Sequence, residues 1–214
     1  MKDISVIIVD DHKLFREGIE LVLSTFSFVK SIYTAANGKE YLDMLENVKP
    51  NIVLMDINMP IIDGVEATKI SKEKYPEIKI IALTMHESVD YYMKMTEIGV
   101  DGFITKDTNK LELENALITV GNNKTYFSRI ILDKVLNHLH NNKTNNTAII
   151  NFSKREEEIL AEMFNGYSNQ EIADKLFISR KTVERHKENM CNKSNTKSSI
   201  SLVLLGIKQG ILQI

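Results

Sequence analysis

The sequence has 214 residues, of which 43% are hydrophobic and 26% are charged, a composition that supports a folded core and excludes a disordered chain. Its single Cys excludes a disulfide framework and a Cys-rich zinc site, and favours a reducing compartment. Its longest apolar runs, at 6–9 and 202–205, are too short to cross a bilayer, and a strand-like run follows Met1-Lys2-Asp3 directly, so we expect a cytoplasmic protein with neither secretory signal nor membrane association.

The net charge of −2 is distributed unevenly along the chain. Residues 1–121 carry 13 Lys and Arg against 20 Asp and Glu, a net charge of −7, whereas residues 122–214 carry 14 against 9, a net charge of +5. An acidic half joined to a basic half indicates two domains with different partners. The basic half suits nucleic acid, although charge alone does not identify its partner.

The first half alternates strand-length apolar runs with helix-length segments of mixed polarity, which predicts a five-stranded, doubly wound parallel sheet with helices on both faces. The strand-length runs are residues 4–9, 29–34, 52–55, 78–83 and 102–104. In the first helix, Leu14, Gly18, Leu21 and Val22 share one face, which we predict to be its core-facing side. Thr108 is the predicted N-cap of the fifth helix.

Three segments are predicted from these patterns. Residues 1–121 form the α/β domain, and residues 122–151 form a connection. In that connection, 128–140 has apolar residues at helical spacing and 141–151 is a polar, turn-prone tether. Residues 152–214 form an all-α domain.

The all-α domain is predicted to contain four short helices, because Ser153 and Ser168 are each followed three residues later by Glu. This is the capping-box pattern, in which each side chain satisfies a free backbone donor. Ser179 is a further N-cap candidate. The predicted helices are 153–165, 168–176, 179–193 and 197–210.

Functional side chains follow the strands of the first half. Asp10 and Asp11 end the first strand, Asp56 ends the third, Thr84 ends the fourth, and Lys106 follows the fifth. The carboxyl ends of parallel strands meet at one sheet edge, so these side chains should converge. Three carboxylates repel one another without a cation, and hard oxygen ligands suit Mg²⁺. A carboxylate beside Mg²⁺ and Lys can attack phosphorus, while the ammonium and hydroxyl groups hold phosphoryl oxygens.

These residues stand in motifs that resemble the receiver domain of two-component response regulators, over about residues 3–121. The motifs are Val9-Asp10-Asp11, the run 56–60 continuing to Asp63-Gly64, Leu83-Thr84, and Phe103-Ile104-Thr105-Lys106. The combination is highly specific, because several spaced motifs match together.

The resemblance implies that Asp56 accepts a phosphoryl group from the phosphohistidine of a partner histidine kinase. It also implies a Mg²⁺ cofactor bound by Asp11, Asp56 and the backbone carbonyl of Asn58, with Asp10 acting partly through water. His12 follows the acid pair, but neutral imidazole is a poor ligand for Mg²⁺, so we assign no role to it.

The same resemblance implies that Thr84 and Lys106 contact the phosphoryl group and that Phe103 occupies the position of a switch aromatic residue. The family often has a small residue after the switch hydroxyl, whereas this sequence has Met85 followed by His86. Either the bulky Met85 narrows access to Asp56 and His86 meets the phosphoryl group or its attacking water, or both are ordinary solvated loop residues.

The second half resembles the LuxR-type helix-turn-helix over about residues 152–212, and the whole chain resembles a NarL/FixJ-type response regulator. The matching segments are 153–156, 166–173, Leu176 and 178–183. The sequence departs from the family after Lys193, where Ser194-Asn195-Thr196 replaces the usual Leu-Gly-Val. The implied scaffold helix is 169–176 and the implied recognition helix is 179–193, a helix that enters the major groove of DNA.

The recognition helix contains candidates for both base and phosphate contacts. Val183 should face the core, which turns Arg185 outward, where it can pair with guanine. Glu184 and Glu188 either accept from cytosine or point away from the phosphates. The phosphate candidates are Lys181, Thr182, Lys187 and Lys193.

These features predict a phosphorylation-controlled transcription regulator that binds double-stranded DNA as a homodimer and is not an enzyme beyond its own phosphoryl transfer and dephosphorylation. A phosphohydrolase with Asp56 as nucleophile is one alternative, but the dehalogenase-type motif needs an acid two residues later, where Asn58 stands. The other alternative is an adaptor whose helical half binds protein, which the salt dependence of any nucleic-acid affinity would distinguish.

Overall fold

The computed structural model describes residues 3–85, 89–128, 131, 134, 150–196 and 199–212. Apart from a few single residues, the predicted linker helix at 128–140 and the tether at 141–151 lie outside these described residues. None of the described helices is long and apolar enough to span a membrane.

The first half forms a fully parallel sheet with the strand order β2-β1-β3-β4-β5-β6. Its strands are β1 (Ile4–Val9), β2 (Val29–Ala35), β3 (Ile52–Asp56), β4 (Lys79–Thr84), β5 (Gly102–Thr105) and β6 (Tyr126–Phe127). Every residue of β3 and β5 is buried, as expected for central strands of a sheet that is covered on both faces.

The prediction of five strands is wrong by one. Tyr126 and Phe127 form a short sixth strand that pairs with Gly102 and Phe103 of β5. This strand lies within the segment that was assigned to the connection between the two halves. Two residues are too few to show an alternating pattern, and only the edge of β5 makes them a strand.

Among the described residues, five complete helices cover the sheet: α1 (Lys13–Ser24), α2 (Gly38–Met44), α3 (Gly64–Lys74), α4 (Val89–Ile98) and α5 (Lys110–Gly121). Helices α1 and α5 contribute Ile19, Leu23 and Leu117 to the apolar cluster on one face of the sheet. Helices α2 and α4 contribute Tyr41 and Tyr92 to the cluster on the other face. This arrangement confirms the doubly wound fold.

The predicted core face of α1 is largely wrong. Leu14 is 83% exposed and Leu21 is 71% exposed, whereas Ile19 and Leu23 are buried. Helix α1 carries apolar residues on two neighbouring faces, so periodicity alone could not determine which face meets the sheet. Of the four predicted residues, Val22 packs against the core.

The predicted N-cap of α5 is displaced by one residue. The side chain of Asn109, rather than that of Thr108, accepts the backbone N–H of Glu112 at 2.9 Å. Asn109 has the three-residue spacing to Glu112 that an N-cap requires.

The second half is a compact set of four helices, as predicted: α6 (Lys154–Phe164), α7 (Asn169–Lys175), α8 (Arg180–Ser194) and α9 (Ser199–Lys208). Both capping boxes are present, with Ser153 paired to Glu156 and Ser168 paired to Glu171. The side chain of Ser179 caps α8 by accepting the N–H of Thr182.

Asn195 ends helix α8 in the left-handed conformation, with φ of 52°. This is the residue that replaces the glycine usual in the family. Asn is one of the few non-glycine residues that adopts this conformation readily, so the helix ends without glycine.

The two halves touch through helices α4 and α9. The hydroxyl of Ser201 donates to the backbone carbonyl of Thr96 at 2.9 Å. Leu204 is buried and belongs to the apolar cluster of the first half that contains Tyr92 and Phe103. A second contact joins Lys124 Nζ to Glu171 at 2.6 Å.

Candidate functional site

The acidic side chains converge at the carboxyl edge of the sheet, as their positions after β1 and β3 predicted. Asp10, Asp11, His12 and Asp56 each offer one ligand atom, and these four atoms lie within 4.8 Å of one another. Asp10 and Asp56 are buried, while Asp11 lies at the surface. Three carboxylates in this arrangement are hard oxygen donors that fit a divalent cation such as Mg²⁺.

Lys106 bridges the two buried carboxylates. Its Nζ lies 2.7 Å from Asp10 Oδ2 and 2.7 Å from Asp56 Oδ2. Burial lowers the pKa of Lys106, but its hydrogen bonds to the two carboxylates outweigh that effect, so the pKa is raised and the side chain stays an ammonium. The same Nζ lies 5.2 Å from the centre of the Phe15 ring, which adds a cation–π contact.

Asp56 is held in an environment that disfavours its charged form. Burial raises its pKa, and the nearby Asp10 carboxylate acts in the same direction. Lys106 and the N–H of Ile57, which donates to Asp56 Oδ1 at 2.8 Å, counteract part of this effect. Asp56 therefore keeps a less stabilised carboxylate than an exposed Asp does, which suits a nucleophile.

The loop after β3 passes unusually close to Asp56. Gly64 donates its N–H to the carbonyl of Ile57 at 2.8 Å. A Cβ on Gly64 would lie only 1.9 Å from the backbone oxygen of Asp56, so no other residue fits there without moving the backbone. Asp63 accepts the N–H of Glu66 and caps α3, so the Asp63-Gly64 pair fixes how the chain leaves the site.

The remaining predicted site residues surround this centre. Thr84 is buried at the end of β4, and its backbone carbonyl accepts the N–H of Lys106 at 2.8 Å. Asn58 lies exposed in the loop after β3. Met85 is 69% exposed, so its side chain extends into solvent, whereas His86 lies outside the described residues.

Phe103 is completely buried between two other aromatic rings. Its ring meets Tyr92 of α4 edge-on, with centroids 5.6 Å apart, and stacks on Phe127 of β6 at 5.4 Å. Rotation of Phe103 would disturb both contacts, so this residue couples β5 to α4.

His12, to which the sequence assigned no role, also lies in the acidic site. The Nδ1 atom of His12 lies 2.9 Å from Asp11 Oδ1 and 3.2 Å from Asp10 Oδ1. The only signal in the sequence is its position directly after the acid pair.

Helix α8 presents Arg185 outward and Val183 inward, as predicted for a recognition helix. Val183 is completely buried in the core of the second half, whereas Arg185, Lys181 and Glu188 are exposed. Thr182 is half-buried, and its hydroxyl contacts Ser179 at 2.7 Å.

Several charged residues of α8 form ion pairs with other residues of the same chain. Glu184 accepts from Arg180 at 2.8 Å. Lys193 Nζ contacts both carboxylate oxygens of the buried Glu156 at 2.8 Å. Lys193 and Glu156 are 37 residues apart, so no local pattern could reveal this pair.

Part of α8 faces the first half across a cleft of about 1060 Å³. Arg180, Glu184 and Lys187 line one wall, and Lys72 and Lys79 line the other. Burial lowers the pKa of Lys187 to about 8, and the charge of Lys79 contributes in the same direction. Lys72 and Lys79 both pair with Asp101, which also lines the cleft, so the cleft carries charges of both signs.

Comparison with known families identifies both halves. Residues 6–118 match the family described as "Response regulator receiver domain", and residues 151–205 match "Bacterial regulatory proteins, luxR family". This chain belongs to the response regulators of the NarL/FixJ type. A response regulator of this kind is a DNA-binding transcription regulator rather than a classical enzyme.

Full-length relatives share this organisation. The response regulator is 35% identical to the oxygen regulatory protein NreC of Staphylococcus aureus, covering 97% of this chain and 99% of NreC. It is 30% identical to the transcriptional regulatory protein DegU of Brevibacillus brevis, covering 99% of this chain and 96% of DegU. Among solved structures, RcsB of Salmonella enterica serovar Typhimurium, bound to a promoter in the presence of the phosphomimetic BeF3⁻, matches with a TM-score of 0.57 and 25% identity over 94% of this chain and 97% of RcsB.

We expect Asp56→Asn to stabilise the response regulator at neutral pH. The folded-state pKa of Asp56 lies above its ordinary value of 3.8, so the folded protein loses stability as the pH rises from 3.8 through that higher folded-state pKa, where the buried carboxyl ionises. The amide removes this cost, and the advantage should disappear below pH 3.8. Urea unfolding of both proteins across this range measures the difference. The control Asp43→Asn breaks only an exposed pair with Lys39 and should change stability little; a similar gain in that variant would contradict the assignment.

Proposed function

We propose that Asp56 of this response regulator accepts a phosphoryl group from a sensor histidine kinase in the cytosol, with Mg²⁺ as cofactor, and that this event controls DNA binding by α8. The contact of Lys106 with both Asp10 and Asp56 carries the proposal, because it places a cation beside a buried nucleophile in an acidic pocket. Asp11, Asp56 and the carbonyl of Asn58 would hold the metal, with Asp10 acting partly through water.

Each residue of the site has a chemical role in this transfer. A carboxylate oxygen of Asp56 attacks phosphorus, and the bond to the leaving nitrogen breaks. Lys106 binds a phosphoryl oxygen as its contact with Asp56 loosens, and Thr84 provides a hydroxyl on the other side. When bound, Mg²⁺ neutralises the carboxylates and the incoming phosphoryl charge. Later hydrolysis of the acyl phosphate returns Asp56 to its free form.

Asn58 supports a regulator rather than a phosphohydrolase. A hydrolase of the alternative type uses an acid two residues after its nucleophile to move a proton to and from the leaving group. The amide of Asn58 cannot do this at neutral pH. Rapid turnover of a small phosphoester would therefore require another proton donor.

Acetyl phosphate with Mg²⁺ should add one phosphoryl group to the wild-type protein and none to Asp56→Asn. Intact-mass spectrometry and Phos-tag electrophoresis measure the addition. The control Asp43→Asn should be labelled like wild type, because its carboxylate is exposed and pairs with Lys39 instead of Lys106. Labelling of Asp56→Asn at the wild-type level would place the acceptor elsewhere.

The contact between α4 and α9 offers a route from the phosphorylation site to the DNA-binding half. Phe103 of β5 packs on Tyr92 of α4, and α4 holds α9 through Thr96, Ser201 and Leu204. We propose that Thr84 and Lys106 move towards the new phosphoryl group and that α4 and β5 rearrange with Phe103. This change would weaken the contact between α4 and α9 by shifting the equilibrium between two conformations.

Leu204→Ala should separate the helical half from the sheet domain in the unphosphorylated protein. Truncating a buried Leu lowers stability by on the order of 2–5 kcal/mol, and here it destabilises the conformation in which α9 packs on α4. We expect a larger radius of gyration by small-angle scattering and roughly tenfold or more tighter DNA binding. Leu205→Ala is the control, because Leu205 packs on the core of the helical half instead. Unchanged radius and affinity in Leu204→Ala would show that this contact does not restrain the helices.

The exposed face of α1 supports the proposal that phosphorylation produces a homodimer. Leu14 and Leu21 stand on one face with Gly18 between them, and a Cβ on Gly18 would meet nothing within 4 Å. Leu111, at the start of α5 on the same side of the sheet, is also exposed. Exposed leucines spaced along one face suit a second copy of the same helix across a twofold axis.

Beryllofluoride with Mg²⁺ should double the mass of the wild-type protein in light scattering. We expect Leu14→Gln combined with Leu21→Gln to remain monomeric, because both changes remove apolar area from the proposed contact. Glu20→Gln lies on the same helix outside this face and should dimerise normally. A double variant that dimerises like wild type would exclude α1 as the interface.

The exposed Arg185, Glu188 and Lys181 of α8 support a division between base and phosphate contacts. We propose Arg185, Glu184 and Glu188 as candidate base contacts, and Lys181, Thr182, Lys187 and Lys193 as candidate phosphate contacts. Lys193 is the weakest probe among them, because removing it would leave the buried Glu156 without its cation.

Arg185→Ala should weaken binding to the specific site by on the order of 1–3 kcal/mol and leave binding to random DNA nearly unchanged, because a guanine contact carries sequence information. Lys181→Ala is the matched comparison, since a phosphate contact should weaken all sequences alike and flatten the salt dependence. Titrations at several salt concentrations separate the two. Equal losses on specific and random DNA in Arg185→Ala would make Arg185 a backbone contact.

A further inference from the structure

Phe15, in the first turn of α1, completes the surroundings of the Lys106 ammonium. Asp10 and Asp56 each approach Nζ to 2.7 Å, and Nζ lies over the Phe15 ring at 5.2 Å from its centroid. The Lys106 side chain is 6% exposed, so the cation is largely shielded from solvent. A ring face attracts a cation most strongly where water is excluded.

Contacts on both sides of Phe15 hold its ring in place. Phe15 is half-buried and packs against the apolar cluster that α1 and α5 form with the sheet. The next residue, Arg16, donates from its guanidinium to the backbone carbonyl of Asp10, and its backbone N–H donates to the carbonyl of His12 at 3.1 Å. These bonds tie the first turn of α1 to the end of β1, so the ring and the acidic pocket share one rigid framework.

Phosphoryl transfer requires Lys106 to change partners without leaving the pocket. Asp56 Oδ1 accepts the N–H of Ile57 at 2.8 Å, and Asp56 Oδ2 accepts from Lys106. Attack on phosphorus uses a lone pair of one of these oxygens, and at Oδ2 the ammonium competes for it. A ring face attracts a cation without requiring a particular N–H direction. Lys106 can therefore turn from Asp56 towards a phosphoryl oxygen while it stays beside Phe15.

We infer that Phe15 is a positioning residue for phosphoryl transfer, whose ring face holds the Lys106 ammonium while it moves from Asp56 to a phosphoryl oxygen. The inference rests on the proposed phosphorylation of Asp56. In the free protein two carboxylates neutralise Lys106, whereas during transfer the charge of Asp56 passes into the new bond to phosphorus. Lys106 is then less fully neutralised on that side, so the ring attracts it more strongly. An attraction that grows towards the transition state accelerates the reaction.

Fluorination of Phe15 in the full-length protein tests this role, because it removes the negative potential of the ring face and changes the size of the ring little. Mono-, di- and trifluorinated phenylalanine are placed at position 15, and phosphorylation by acetyl phosphate with Mg²⁺ is followed by Phos-tag electrophoresis. We expect the rate constant to fall stepwise along the series, by about tenfold with the trifluorinated ring. Phe15→Leu keeps an apolar side chain without a ring face, and we expect a similar loss.

Phe26 provides the matched control for the fluorinated series. Its ring lies 5.6 Å from Lys110 Nζ, which is a contact of the same kind outside the acidic pocket. The same fluorinated residues at position 26 should leave the rate constant within about twofold of the wild-type value.

The outcomes separate this inference from the proposed function. A rate constant that stays level or rises along the Phe15 series overturns the inference while phosphorylation of Asp56 stands. An equal fall in the Phe26 series also overturns it, because the effect would then not depend on Lys106. If acetyl phosphate does not label Asp56 of the wild-type protein, the proposed function and the inference fail together.

Discussion

Two buried carboxylates share a single cation at the edge of the sheet, and the rest of the molecule is arranged around that contact. Burying an unpaired charge is costly, so the Asp56 carboxylate depends on Lys106, whose ammonium also contacts the buried Asp10. These residues come from the ends of β1 and β3 and from the segment after β5, so the pairing depends on the parallel strand order. Two negative charges against one positive also leave the pocket short of positive charge, which favours a further cation.

The same contact lies close to the joint between the two halves. Lys106 is three residues from Phe103, whose ring packs on α4, and α4 holds α9 through Ser201 and Leu204. The response regulator therefore has few steps between the residues that would meet a phosphoryl group and the helices that would meet DNA. Each step is a packed or hydrogen-bonded contact. Such contacts switch between discrete arrangements and do not deform continuously.

Much of this architecture follows from sequence patterns that are local. The apolar runs of the central strands, the acids at strand ends and the capping boxes at Ser153 and Ser168 each depend on residues a few positions apart. Features that depend on tertiary context could not be predicted in this way. Helix α1 has two apolar faces, and only the sheet selects Ile19 and Leu23; β6 exists only because β5 offers an edge. No periodicity in the sequence describes the contacts of Lys193 with Glu156, of Leu204 with the first half or of His12 with Asp11. These contacts join separate elements or orient single side chains.

Internal pairing of the basic residues changes how this protein would search a chromosome. In the helical half, Lys175, Arg180 and Lys193 each contact a carboxylate of the same half, whereas Lys181 and Arg185 have no ion pair with another described residue. The 14 basic residues of 122–214 therefore overstate the number of phosphates that this half could neutralise, and with it the number of counterions that DNA would release on binding. Few released counterions mean weak attachment to random sequence. Such a regulator would spend most of its search in solution, and its lifetime on a promoter would depend on the bases that it contacts.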